Sequence, residues 1–346
     1  MSELAIIIIG FLLTYLVCFF LVKKPLIVAL PTERGLHQHS TPTSGGIAIF
    51  IGLMFLFFNK QDLFFSSIGF SIPIILVLFV VMGVIDDKTK ISVTFRLIAQ
   101  LVLMTFMVDY VGISDVGVFL FSIFLSMYIL NSFNFMDGID SLAISEFIFI
   151  IIGFLILHYV GVTQSFQPTF YYLLVPAIAF SLFNLHPSKL FLGNSGSYLL
   201  GFLIALNFVT YGTWLDFFNM LVPLIILYTI FFIETAYVII RRFTNNLYRD
   251  FMDSSLSLGS ILTSRIKLIT RAHCLHNYQK LTKKLNSHSK VVVILMSYNF
   301  FVCLPLAVLA LKYPNYSLLF LAISCIPYII WCYINDAGVE EKNSNL

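Results

Sequence analysis

Residues 66–90 read SSIGFSIPIILVLFVVMGVIDDKTK. The apolar run over 66–84 approaches the ~20 residues a helix needs to cross ~30 Å of hydrocarbon. It ends in Gly83-Val84-Ile85-Asp86-Asp87-Lys88. Two adjacent carboxylates at a membrane edge repel each other and lose hydration. The junction therefore asks for a compensating cation, either Lys88 and Lys90 or a divalent metal. Its plainer reading is the solvated start of a loop.

The same alternation of apolar run and polar island extends in both directions. The runs lie at roughly 4–22, 45–58, 66–84, 95–111, 116–130, 142–160, 168–183, 197–212, 217–240, 292–311 and 316–333. With 59% hydrophobic and 11% charged residues and a mean hydropathy of +0.96, the chain reads as an all-α polytopic membrane protein of about 11 transmembrane helices. The alternating pattern of an outer-membrane barrel is missing from the runs. Of the 20 Lys and Arg residues, 18 fall in every second gap or the C-terminal tail, and only Lys60 and Lys312 fall in the others. Positive charge stays inside, so the N-terminus is expected on the periplasmic side and the C-terminus in the cytoplasm. The first run reads as a span and not a cleavable signal, because Lys23 and Lys24 follow it.

Residues 1–346 read as one integral-membrane domain, with 241–291 as its long cytoplasmic loop. Within that loop, Arg265 to Leu285 is expected as a helix along the membrane surface. No basic soluble module suits nucleic acid. The five cysteines form no CxxC pair and read as free thiols.

Every polar island with chemical character lies in an inside gap. Asn131, Asn134, Asp137 and Asp140 recur every three residues, which aligns amides and carboxylates along one edge, as a nucleobase or a metal-bound phosphate requires. Helix capping is the simpler reading. Asn184 to Ser197 (NLHPSKLFLGNSGS) puts glycines and serines just before a helix start, where backbone N–H groups suit phosphate. Phe191 offers a ring to a base, or simply fills a turn. Arg34 and His37 lie in a loop that suits an anion or merely connects spans. His273 and His276 share a helix face and are a weak zinc signal. Glu234, a carboxylate inside a run, is either functional or the buried partner of a hydroxyl. Carboxylates, amides, glycine turns and cations on one membrane face are what metal-assisted phosphate transfer requires.

Over about residues 31–276 these islands resemble, in order, the bacterial polyprenyl-phosphate N-acetylhexosamine-1-phosphate transferases. That group holds the phospho-MurNAc-pentapeptide translocase and the enzymes that start O-antigen and teichoic-acid linkage units. The resemblance implies transfer of a sugar-1-phosphate from a UDP-sugar to undecaprenyl phosphate with release of UMP, at the cytoplasmic face of the bacterial inner membrane. It implies Mg²⁺, with Mn²⁺ as a substitute, held by Asp86, Asp87 and residue 194. Asp86 and Asp87 would be catalytic. Asn134, Asp137 and Asp140 would hold nucleotide, Phe191 would stack on uracil, Asn184 would contact the nucleotide sugar, and His273 and His276 would contact phosphates. Where the family usually has Asp, this chain has Asn194. The sparser histidine motif favours the O-antigen-type branch and GlcNAc-1-phosphate. Association as a homodimer stays open. A transporter of a phosphorylated sugar and an inactive scaffold are the rival readings. The nearly uncharged span interiors disfavour transport.

Overall fold

Helix α1 (Glu3–Lys23) carries the signature of a chain built for a bilayer. Ser2 caps it by accepting the Ala5 N–H at 3.3 Å. Ile6, Gly10, Thr14, Cys18 and Leu21 line its buried face, whereas Leu4, Ile8, Leu12, Leu16 and Phe20 point outward. Small residues spaced by four let helices approach where lipid tails give no apolar drive to association. The outward face is favourable only against hydrocarbon.

The computed structural model describes residues 2–31, 39–60, 71–161, 171–212, 217–245, 247, 250, 258–270 and 274–339. After α1 come strands β1 (Ile27–Ala29) and β2 (Thr41–Thr43), then α2 (Gly45–Asn59), α3 (Ser71–Thr89), α4 (Val93–Val111), α5 (Val116–Met136), α6 (Leu142–Gly161), α7 (Tyr171–Asn184) and α8 (Gly193–Gly212). There follow α9 (Phe217–Leu227), α10 (Thr229–Thr244), α11 (Leu258–Thr270), α12 (Asn277–Leu285), α13 (His288–Tyr298), a π-turn (Asn299–Cys303), α14 (Leu304–Lys312) and α15 (Ser317–Ile334). Each of the eleven apolar runs is helical over its described residues, apart from a break at Tyr228 in the run 217–240. Among the described residues, six stretches are long and apolar enough to cross a membrane, or up to seven with the bent α9–α10 pair. The chain is thus a mostly helical, multi-pass membrane protein.

Three expectations need correction. The chain is not purely helical, because β1 and β2 pair antiparallel, Ile27 opposite Thr43. The run 217–240 is not one rod: α9 and α10 meet at 78°. α10 carries Glu234, Arg241 and Arg242. Residues 265–285 are not one helix either. α11 ends at Thr270, and α12 starts afresh after His276, which caps it.

Helix α8 is the hub. Residues 195–209 are buried without a break, and α2, α3 and α5 pack around it. A Cβ on Gly83 of α3 would lie 2.4 Å from the Ser195 backbone of α8, so only glycine permits this crossing. The two helices therefore close on each other where α3 presents its paired aspartates and α8 its first turn.

Candidate active site

The last turn of α3 separates two adjacent carboxylates by environment. Asp86 is buried and saturated. Its Oδ1 accepts the Ile91 N–H at 3.0 Å, closing the turn after the helix. Its Oδ2 accepts from Tyr198 Oη at 2.8 Å, Asn194 Nδ2 at 3.2 Å and Arg96 Nη1 at 3.5 Å. Asp87 is only half-buried. It accepts the Asn194 backbone N–H at 3.1 and 3.2 Å, in the first turn of α8, where the helix dipole favours an anion. Gly193 makes that contact possible. Its φ is +72°, and a Cβ there would lie 2.8 Å from Asp87 Oδ2.

Asn194 joins two loops. While its Nδ2 donates to Asp86, its Oδ1 accepts from Asn134 Nδ2 at 2.7 Å, and Asn134 also donates to Ser197 Oγ at 3.0 Å. Asn131, the other amide of that series, turns away to donate to Gln100 Oε1 at 3.0 Å. Asp137 follows α5 as its C-cap. Burial, then the nearby charges of Asp87 and Asp140, push its carboxyl up to about 7. Among the described residues, no salt bridge reaches Asp87 or Asp137.

This donor set decides where a hard divalent cation fits. Mg²⁺ takes one or two carboxylates and fills its shell with water and phosphate oxygens. Asp87 and Asp137 meet that demand, being acidic, near enough to feel each other's charge and, among the described residues, without a salt-bridge partner. Asp86 and Asn194 fit it poorly, because their polar atoms already bond to protein.

The remaining island residues converge on the same end of the bundle, several of them as structural ties. Asn184 is buried. Its Oδ1 accepts the Ser141 N–H at 3.0 Å, and its Nδ2 donates to Leu190 O at 2.9 Å and Ser188 Oγ at 3.2 Å. Its amide thus latches two loops together, which leaves little for a sugar. Asp140 is buried, and its Oδ2 meets His186 Nδ1 at 2.6 Å, the Ser188 N–H at 3.3 Å and His288 Nδ1 at 3.4 Å. Burial acts to raise its pKa, but the hydrogen bonds from His288 and His186 outweigh it and hold the carboxyl below its ordinary value. Phe191 is half-buried, and its N–H donates to Pro42 O at 2.8 Å while its carbonyl accepts from the Gly45 N–H at 2.9 Å. The hairpin is tied to the α8 loop in this way. Arg34, His37 and His273 lie outside the described residues.

His276 is buried as the N-cap of α12, its Nδ1 3.7 Å from Glu234 Oε1. Its ring stacks on Phe135 with centroids 6.4 Å apart, so it supports the Asp137 loop from behind. Glu234 proves to be the partner of a hydroxyl and more. Oε2 accepts from Tyr328 Oη at 2.6 Å, and Oε1 accepts the N–H groups of Asn277 and, at 3.4 Å, Tyr278. Glu234→Ala strands three buried donors at about 1–3 kcal/mol each. The expected result is an apparent melting temperature several degrees lower in detergent, with Glu234→Gln recovering much of the loss. Equal melting of wild type and Glu234→Ala contradicts this.

Tyr198 and His288 were not singled out in the sequence. Tyr198 lies 112 residues from the carboxylate it binds, and His288 lies 148 residues from Asp140. Neither carries a local signal beyond a polar atom near a helix start.

Comparison with known proteins adds a family likeness. Residues 69–212 match the model described as glycosyl transferase family 4, a span that holds Asp86, Asp87, Asn134, Asp137, Asp140, Asn184, Phe191 and Asn194. The chain is 26% identical to a probable undecaprenyl-phosphate N-acetylglucosaminyl 1-phosphate transferase of Bacillus subtilis, over 68% of this chain and 70% of that protein. It is 33% identical to the undecaprenyl-phosphate alpha-N-acetylglucosaminyl 1-phosphate transferase of Thermotoga maritima, over 56% of this chain and 60% of that one. The Escherichia coli protein of the same name is 31% identical, over 56% and 58%. The match thus spans less than two thirds of the Thermotoga and Escherichia relatives. The ordered islands, their convergence at α8 and these matches together make the chain similar to glycosyl transferase family 4 over residues 69–212.

Proposed function

We propose that this protein transfers N-acetylglucosamine-1-phosphate from UDP-GlcNAc to undecaprenyl phosphate, releasing UMP, at the cytoplasmic face of the inner membrane. The product starts a lipid-linked envelope glycan of the O-antigen type. The observation that carries this reading is the meeting of Asp87, Asp137 and the first turn of α8 at one end of an apolar bundle. A lipid phosphate arriving along the bilayer and a nucleotide arriving from water can meet there and nowhere deeper. The relatives' names supply the chemical class, and the concentration of Lys and Arg in alternate gaps supplies the side.

An oxygen of the lipid phosphate attacks the β-phosphorus of the donor, and the bond from that phosphorus to the bridging oxygen breaks, with UMP carrying the oxygen away. One phosphoanhydride replaces another, so positioning and charge neutralisation do most of the work. Asp87 takes up the remaining proton of the lipid phosphate. Asp87 and Asp137 would hold Mg²⁺, which supplies neutralisation of the phosphate oxygens when bound. The first-turn N–H groups of α8 face the same anions. The exposed part of Phe191 is offered to the uracil ring. Asp86, Arg96, Tyr198, Asn194 and Asn134 keep Asp87 in register.

The test uses purified protein with radiolabelled UDP-GlcNAc, undecaprenyl phosphate and Mg²⁺. Labelled lipid and stoichiometric UMP are expected. Passage of intact sugar phosphate into vesicles would make it a transporter, and a folded protein inert across several UDP-sugars would make it a scaffold.

A further inference from the structure

We propose that Asp140, His186 and His288 form a second metal site, selective for a late divalent transition metal of the zinc class and separate from the Asp87–Asp137 pair. Their ligand atoms lie within 4.8 Å of one another, and this is the group of its kind found among the described residues. The three side chains come from three elements: the turn after α5, the loop after α7 and the first residue of α13. The two imidazole rings sit 4.8 Å apart at 36°.

The geometry suits a small ion. Tetrahedral zinc with bonds of about 2.0–2.2 Å sets its donors roughly 3.3–3.5 Å apart. Asp140 Oδ2 and His288 Nδ1 already stand at 3.4 Å. His186 Nδ1 has closed to 2.6 Å through a hydrogen bond and has to withdraw by less than about 1 Å to reach that spacing. It is free to do so, since its side chain is 40% exposed on a loop; the same exposure gives an ion its entry. His288 Nδ1 accepts the Asp140 N–H at 3.2 Å, so this nitrogen carries the lone pair, which has to leave that N–H to take an ion. On metal binding, the proton between His186 and Asp140 leaves for solvent, because metal ligands bind deprotonated.

Donor chemistry separates the two sites. Imidazole favours zinc, nickel, cobalt and copper, whereas Mg²⁺ prefers an all-oxygen shell. Two neutral imidazoles and one carboxylate under a divalent ion leave a single positive charge, with the fourth position open to water or an anion. Occupancy would also lock α13 to the loops that follow α5 and α7. None of this depends on the transferase reading.

The experiment uses full-length protein without a histidine tag, stripped with EDTA and held in saturating Mg²⁺, so that the oxygen site does not compete. Co²⁺ is titrated as the visible probe, and Zn²⁺ then displaces it. One equivalent of Co²⁺ should bind with the absorption of a low-coordinate ion, and Zn²⁺ should raise the melting temperature. His288→Ala and His186→Ala should each weaken Co²⁺ binding at least ~10²-fold, since loss of an outer-shell partner alone costs 10–100-fold. His186→Ala guards against misfolding, because its side chain is largely at the surface; its metal-free melting curve should match wild type. Unchanged Co²⁺ affinity in the His186→Ala/His288→Ala double variant, or no saturable Co²⁺ binding in wild type, overturns the proposal.

Discussion

Asp87→Asn is expected to lower the rate of labelled-lipid formation by at least ~10²-fold, the scale of losing one acid–base or electrostatic group, while leaving the melting temperature near that of wild type. The two halves of this result come from different contacts. The amide oxygen of asparagine still accepts the Asn194 N–H that Asp87 accepts at 3.1 Å, so the crossing of α3 and α8 survives. The negative charge beside Asp137 and the proton acceptor for the lipid phosphate do not. The neighbouring substitution should invert the pattern. Asp86 is buried and accepts from Ile91, Tyr198, Asn194 and Arg96, so Asp86→Asn loses stability first and activity as a consequence. Near-normal turnover in Asp87→Asn removes this residue from the chemistry.

Asn194→Asp should make stability depend on a divalent cation. In the native chain, Asn194 Nδ2 donates to Asp86 Oδ2 at 3.2 Å. A carboxylate there replaces a donated hydrogen bond with like-charge repulsion of about 5 kcal/mol at an effective dielectric near 20. Protonation of one acid relieves part of it. The expected reading is an apparent melting temperature several degrees below wild type in EDTA, recovered when millimolar Mg²⁺ is added. Wild type should respond less, because its amide already closes the gap between Asp86 and Asn134. A variant that melts as wild type does in EDTA, or that ignores Mg²⁺, shows that position 194 lies clear of Asp86.

The eleven apolar stretches and the islands between them were legible because both are local properties of composition. The division of labour inside an island was not. Nothing near Asp86-Asp87 says which carboxylate is spent on structure. That is decided by Tyr198 and Asn194, 112 and 108 residues away. Asn184 and His276 looked like ligand-binding groups for a related reason. A buried amide that latches two loops and an exposed one that reads a sugar have the same sequence signature. The 78° turn between α9 and α10 was hidden because Glu234 is the one charged residue in the run 217–240, and its partners Asn277 and Tyr328 lie far along the chain. The hairpin was missed because three residues per strand leave too short a pattern to read.

The enclosure of α8 bears on how the protein meets membranes of different thickness. Residues 195–209 are buried throughout, whereas α1 and α15 are largely exposed along their length. A thicker or thinner bilayer acts by tilting the helices it wets. The outer helices therefore absorb the mismatch, and the first turn of α8 keeps its position against Asp87 from one host lipid mixture to another.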